Sequence, residues 1–373
     1  MTTPNKATVQ TDPENCDMQK IRMEIDSIDE KIVGLINRRA ELASSIGQIK
    51  AMRGEGIFNP AREEEVLQNL LHHNHGPLSN SNLLAIYREI ISSSRALQHK
   101  LKVAFLGPEY SFSHVASMAR FGQAVEFHPL SSISMIFEEV ERKHVDFAVV
   151  PLENSTDGRI TDTLDMFVRL PQIRICAEVR LRVHHHLLAI CSESQIKHIY
   201  SKPQALSQCR GWLSKTFPEA VLHEISSTAA AAQYILENTE GTAAIASREA
   251  AVRYGLRIAY SNIEDSPDNE TRFAVIGTHD SKRTGRDKTA IMFQIPHSPG
   301  SLADILNIFK QTKINLTWIE SFPSRQVKGE YVFFVEFEGH KLDEQAKMAL
   351  ELLSKFCDQL TVLGSFPLAQ LVD

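Results

Sequence analysis

Met18, Ile21, Ile25, Ile28, Ile32, Leu35, Arg39, Leu42, Ile46 and Ile49 recur at alternating steps of three and four. That spacing is a heptad seam sustained over more than four heptads, and it predicts one long helix. Arg39 occupies a seam position. A seam arginine sets register, snorkels to the edge, or marks an anion held inside a helical bundle. Gly54 and Gly56 are expected to end this helix. A second helix is expected over about 60–71, with Arg62 and Glu63 in its first turn. After a loop at Pro77, Ser79 and Asn80, a third helix repeats the seam with Leu83, Tyr87, Ile90, Ser94, Leu97 and Leu101. Ser94 and Gln98, one turn apart, place polar groups on or beside that seam.

From residue 101 the period changes to alternating strands and helices. Strand-like runs cover 102–106, 125–128, 146–150, 173–179, 186–191, 221–225 and 242–246. Helical stretches between them cover 113–121, 133–142, 161–170, 204–217, 228–237 and 248–254. The pattern predicts an α/β unit with largely parallel sheets, folded as two lobes around a cleft. Polar loops follow the strands: Gly107 to Ser113, Pro151 to Gly158, and Tyr200 to Cys209. A further polar cluster, Asn269, Glu270, Thr271, Arg272 and Phe273, is read as a loop entering an apolar strand. A charged linker over 279–288 leads to a smaller βαββαβ unit, the order of a ferredoxin-like α+β fold. The expected division is a disordered tail over 1–17, a helical unit over 18–100, the two-lobed unit over 101–281 and the small unit over 286–373.

Composition narrows the class. The net charge is −6 without a long basic stripe, which argues against nucleic acid. Five scattered cysteines have no CxxC spacing and read as free thiols of a reducing compartment. The polar N-terminus resembles neither a signal nor a transit peptide, and no apolar run approaches membrane-spanning length. A cytoplasmic protein is expected. His184, His185 and His186 are read as packing and hydrogen-bonding residues rather than metal ligands, because alternate strand residues face opposite sides. The loop at Gly107 is not GxGxxG, which counts against a nicotinamide dehydrogenase.

Arg39 and Lys50 stand three helical turns apart on nearly one face, roughly 16 Å along the axis. Two long side chains can close that gap around a small ligand. Arg22 lies roughly 25 Å from Arg39 and reaches the same ligand only from a second subunit. With Arg22, Asp29-Glu30-Lys31, Arg38-Arg39, Lys50, Arg62-Glu63, Ser94 and Gln98, this segment resembles the all-helical chorismate mutase domains fused to bacterial prephenate dehydratases. The resemblance implies that Arg22 of a partner chain and Arg39 bind the two carboxylates of chorismate. Lys50 and Gln98 would face the breaking ether oxygen, and Arg62, Glu63 and Ser94 would hold the rest. A pericyclic rearrangement needs a held conformer and stabilised charge, not an acid or base. Asn59 stands where some relatives carry an acid.

The middle segment resembles prephenate dehydratase in GPEYSFS, VPLENS, the HHHLL run, YSKPQALSQC and NETRF, in order. The resemblance implies a two-lobed, periplasmic-binding-protein-like fold that converts prephenate to phenylpyruvate with loss of carbon dioxide and hydroxide. Thr271 would hydrogen-bond the departing hydroxyl and Arg272 a carboxylate, with Phe273 beside them. Asn154, Ser155, Ser201 and Gln208 would orient the substrate, and Ser111 and Ser113 would line the first loop. Tyr110 replaces the small residue that relatives carry there. Neither reaction calls for a cofactor or metal.

The last segment resembles an ACT regulatory domain. Gly300, Ser301 and Leu302 match its loop before the first helix. Glu320, Ser321, Phe322, Pro323 and Ser324 match the motif of phenylalanine-sensing members, with Phe322 in place of arginine. Phenylalanine is the implied effector, and a homodimer or dimer of dimers the implied assembly. The competing reading is a two-lobed small-molecule sensor that has lost catalysis.

Overall fold

The computed structural model describes residues 13–53, 56, 58–156, 158–323 and 331–372. Most of the expected tail and both Gly54 and Ser324 lie outside the described residues. Three helices come first: α1 (Pro13–Met52), α2 (Pro60–His73) and α3 (Asn80–Ala96). The first helix therefore begins inside the segment expected to be a tail. Asn59 caps α2 by accepting from the Arg62 amide at 3.2 Å, and Pro60 fills the first turn, where its missing N–H costs nothing. Ser79 caps α3 in the same way. The heptad residues of α1 are not covered within the chain: Ile21 is 59% exposed, Ile28 47% and Leu35 71%. Leu101, expected on the seam of α3, is instead buried in the core of the next unit beside Val103 and Phe121.

The next unit runs β1 (Lys102–Leu106), α4 (Phe112–Phe121), β2 (Glu126–Leu130), α5 (Ile133–Glu141), β3 (Phe147–Asn154), β4 (Gly158–Arg159), α6 (Thr161–Arg169) and β5 (Arg174–Arg182). It continues through β6 (His186–Ala189), β7 (His198–Ser201), α7 (Pro203–Gln208), α8 (Arg210–Thr216), β8 (Val221–Glu224), α9 (Thr228–Glu237), β9 (Thr242–Ala246), α10 (Arg248–Tyr254), β10 (Arg257–Tyr260) and β11 (Glu270–Gly277). The small unit comprises β12 (Asp287–Gln294), α11 (Ser301–Gln311), β13 (Leu316–Pro323), β14 (Tyr331–Glu338), α12 (Glu344–Phe356) and β15 (Gln359–Pro367), and β16 (Leu371–Val372) closes the chain.

Among the described residues the strands form three sheets. The first has the order β16-β5-β11-β3-β1-β2 with β4 on β3, the second β10-β6-β9-β7-β8, and the third β13-β14-β12-β15. The expectation of largely parallel sheets holds for part of the first and second sheets: β1 pairs in parallel with β2 and β3, β16 with β5, and β7 with β8 and β9. The chain leaves the first lobe after β5 and returns through β11, which slots between β5 and β3 antiparallel to both. In the second lobe β6 likewise runs antiparallel to β9 and β10. Both sheets are therefore mixed.

Two crossovers, 183–185 and 261–269, join the lobes. They run side by side, with the Val183 amide donating to the Asn269 carbonyl and the Ile263 amide to the His185 carbonyl, each at 2.8 Å. The third sheet lies against the first. Ala148, Val150, Ala274 and Ile276 of one share a core with Ala290, Met292, Phe334 and Phe366 of the other. The expected linker ends early, because Asp287 and Lys288 are buried at the start of β12.

Candidate active sites

Thr271 is not on a loop but second in β11. Its register partner across the sheet is Asn154, the last residue of β3. The Asn154 side-chain amide donates to Thr271 Oγ1 at 2.8 Å and to Asn269 Oδ1 at 3.0 Å. Asn154 Oδ1 accepts from the Thr156 amide at 3.0 Å, which assigns the orientation of the Asn154 side chain. An Asn amide nitrogen only donates, so the Thr271 hydroxyl is the acceptor here and keeps its own proton to donate. The chain of bonds continues from Asn269 Nδ2 to Gln208 Oε1 at 3.0 Å, where His185 Nε2 also donates at 2.8 Å. Gln208 comes from the second lobe and Asn269 and His185 from the crossovers, so the network spans the hinge between lobes.

The hinge is tied again at Glu264, which accepts from His184 Nδ1 at 2.6 Å and from the His185 amide at 2.9 Å. Burial alone would raise the Glu264 carboxyl, but these hydrogen bonds outweigh it and hold its pKa below the ordinary range. His186 accepts from the Asn262 amide through Nδ1. Burial first, then the nearby Arg248 charge, lowers its pKa to about 4.

Other expected residues are in place for different reasons. Ser111 caps α4 and donates to the Leu106 carbonyl at 2.9 Å. Ser113 is buried in the first turn of that helix, its carbonyl accepting from Ser117. Ser155 bridges to β11 by accepting from the Glu270 amide at 2.9 Å. Ser201 is fully buried at the end of β7 and donates to the Ile245 carbonyl at 2.7 Å. Tyr110 has a positive φ of 64°, the conformation expected where relatives carry a small residue. Its amide donates to His114 Nδ1, while its ring reaches the second lobe near Tyr254 and Arg253.

Arg272 and Phe273 depart from expectation. Successive strand residues point to opposite faces, so Arg272 cannot share the side of Thr271. Its Nε donates to Glu178 at 2.7 Å, Nη1 to Glu153 at 2.9 Å, and Nη2 to both oxygens of Glu336 at 2.7 and 2.9 Å. Burial alone would lower its pKa, but Glu336 and Glu178 overcome this and hold it above the ordinary arginine value. Phe273 is 1% exposed in the core with Phe58, Val103 and Phe121, and presents no surface to a ligand.

In the helical unit, Arg39 donates to Ser94 Oγ at 3.0 Å and Gln98 Nε2 to the Ala43 carbonyl at 2.8 Å. These contacts bring Arg39, Ser94 and Gln98 together where α1 crosses α3. Lys50 follows in the last turn of α1, and Arg22 stands exposed toward the far end. Glu63 is held elsewhere: Arg95 of α3 approaches it at 2.5 Å and Arg120 of α4 at 3.1 Å. Asn59 and Arg62 line a cavity of 540 Å³ together with Lys282, Arg283 and Arg286. Arg62 itself pairs with Glu65 at 2.7 Å.

Three family models match the chain in order: chorismate mutase type II over residues 21–99, prephenate dehydratase over 103–281, and an ACT domain over 289–351. Similar full-length proteins include the bifunctional chorismate mutase/prephenate dehydratase of Aquifex aeolicus, 43% identical over 95% of this chain and 99% of its own. The protein of the same name from Pseudomonas aeruginosa is 42% identical over 95% and 98%. The chain belongs to the bifunctional chorismate mutase/prephenate dehydratase family. Among solved structures, the prephenate dehydratase of Arthrobacter aurescens in complex with L-Phe superposes with a TM-score of 0.67. It is 33% identical and covers 72% of this chain and 90% of that one.

Within the ACT domain, Gly300 and Ser301 open α11, and Leu302 packs against the core behind them. Ser321 and Glu320 lie on β13. Glu320 pairs with Arg159 of the dehydratase domain at 2.6 Å. Phe322 is buried in the core shared by the two domains, its ring stacked on Phe334 at 5.3 Å. Sequence reading passed over Asn269 and His185 as members of the dehydratase network, and over the carboxylates around Arg272. Asn269 was within the motif already singled out, and strand alternation from residue 270 carried the signal for Arg272. The partners of Arg272 come from three separate segments, and no local pattern announced them.

Proposed function

We propose that the mutase domain rearranges chorismate to prephenate and that the dehydratase domain decarboxylates and dehydrates prephenate to phenylpyruvate, two steps toward phenylalanine. The observation that carries this reading is the Asn154–Thr271 pair, set in a network that reaches across the hinge. Thr271 is a weak acid, so it acts by hydrogen-bonding the leaving hydroxyl while Asn154 polarises its oxygen. The substrate carboxylate departs as carbon dioxide and leaves its bonding electron pair behind to complete the aromatic ring as hydroxide leaves, so no base is required for that step.

In the mutase domain, Arg39 oriented by Ser94, with Lys50 and Gln98, supports a pocket for a dicarboxylate and its ether oxygen. Arg22 lies too far along α1 to join them within one chain, and the open heptad face supports pairing with a second copy. A homodimer or dimer of dimers follows. Thiols without disulfides among the described cysteines, and the absence of a membrane-spanning helix among the described residues, support a cytoplasmic enzyme. The ACT domain is read as sensing phenylalanine and lowering dehydratase activity.

The test is a two-step assay on purified protein, supplying chorismate or prephenate and following phenylpyruvate, with and without phenylalanine. Turnover of both substrates is expected, with inhibition by phenylalanine. Failure to consume either substrate favours a sensor that has lost catalysis. Flat activity up to millimolar phenylalanine removes the assignment of the effector.

A further inference from the structure

A cluster of charged side chains lies beside the apolar core that the dehydratase sheet and the ACT sheet share. There, Arg272 and Lys288 meet Glu153, Glu178 and Glu336. Glu336 belongs to β14 of the ACT domain and its side chain is 1% exposed. Both its oxygens receive Arg272 Nη2, at 2.9 and 2.7 Å, and Lys288 Nζ stands 3.6 Å away. With Glu178 on Nε and Glu153 on Nη1, all three guanidinium nitrogens are engaged and the plane of the group cannot turn. Trp318 of β13 lies 5.7 Å from the guanidinium carbon.

A buried ion cluster is a poor device for stability alone, since well-packed apolar residues serve at least as well. It is a good device for fixing one geometry. The residue it fixes is bonded directly to Thr271. A second tie acts on the partner of Thr271: Glu320 of the ACT domain holds Arg159, and the two-residue strand carrying Arg159 pairs with Glu153 and Asn154.

We propose that Glu336 of the ACT domain is a positioning residue for the dehydratase reaction: through Arg272 it sets β11 so that Thr271 meets Asn154 at the cleft. The inference rests on Thr271 acting in the dehydratase reaction. It also makes the ACT sheet, rather than the connecting linker, the direct route from the regulatory domain to the reacting hydroxyl.

The test uses the full chain and three variants, Glu336→Gln, Thr271→Ala and the two combined. Glu336→Gln keeps shape and a hydrogen bond to Arg272 but removes the charge. Its kcat on prephenate is expected to fall roughly ten- to hundred-fold, as displacements of about 1 Å at a reacting group do. KM should stay within about two-fold, and mutase turnover should be unchanged. In the Thr271→Ala background Glu336→Gln is expected to cost nothing further, because positioning acts only through that hydroxyl. An unchanged kcat in Glu336→Gln overturns the proposal, as does an equal loss with and without Thr271 or a parallel loss of mutase activity. If Thr271→Ala alone retains full dehydratase activity, the underlying reading of Thr271 fails and the proposal with it. Should Glu336→Gln not fold, Glu336→Asp decides the matter: it withdraws the carboxylate while keeping its charge, and wild-type kcat in that variant overturns the proposal.

Discussion

One peptide bond separates Thr271, which faces Asn154, from Arg272, which faces the ACT sheet. Identity at a position therefore says less than the side of the sheet on which it falls. The same holds at Phe322, where a side chain in the effector motif became part of a core. Restoring the arginine of phenylalanine-sensing relatives by Phe322→Arg is expected to destabilise the protein by more than about 3 kcal/mol, because it buries an unpaired charge. A lower melting temperature or loss of folded protein checks this, and Phe322→Leu should be tolerated. His186 gives a pH signature. Its pKa of about 4 in the fold lies below its ordinary value of 6.5, so the unfolded chain takes up a proton that the fold refuses. Stability from this residue is whole above pH 6.5 and is lost as pH falls toward 4. Urea unfolding at pH 5 should give a value roughly 1–2 kcal/mol below that at pH 7, and His186→Asn should remove that part of the decline.

Helices were the most legible elements, because periodicity over many residues averages out local exceptions. The seam of α1 and the bounds of α9 and α10 could be read directly from spacing. Short strands were not: β7 and β10 have four residues each, too few for alternation to stand out. The stretch expected as one helix over 204–217 breaks at Cys209, two residues before Gly211. The three resembling segments singled out Thr271 and Arg39 as candidate site residues, whereas the direction of Arg272 depended on where β11 begins. At this scale Gly47 links α1 to its site. A Cβ there would collide with the Gln98 side chain. Gly47→Ala should favour the helix itself by up to about 1 kcal/mol while displacing the Gln98 amide from Ala43. We expect mutase kcat/KM to drop roughly ten-fold or more and dehydratase turnover to persist. Parallel assays of the two reactions separate these effects.

Across the whole molecule, the exposed seam of α1 is the surface on which the proposed dimer rests. Ile28→Glu puts a charge in that seam and is expected to shift the protein toward monomer in sedimentation. Mutase activity should fall with it, because Arg22 then has no second subunit to serve, while prephenate turnover remains. A different constraint lies where β15 backs onto β5. A Cβ at Gly364 would strike the backbone carbonyl of Ile175, so main chain rests on main chain there. Three segments that read as separable blocks in sequence are thus not interchangeable parts. A sensor grafted from another enzyme at the linker must bring a glycine at this position and an acid opposite Arg272, or its sheet will not seat.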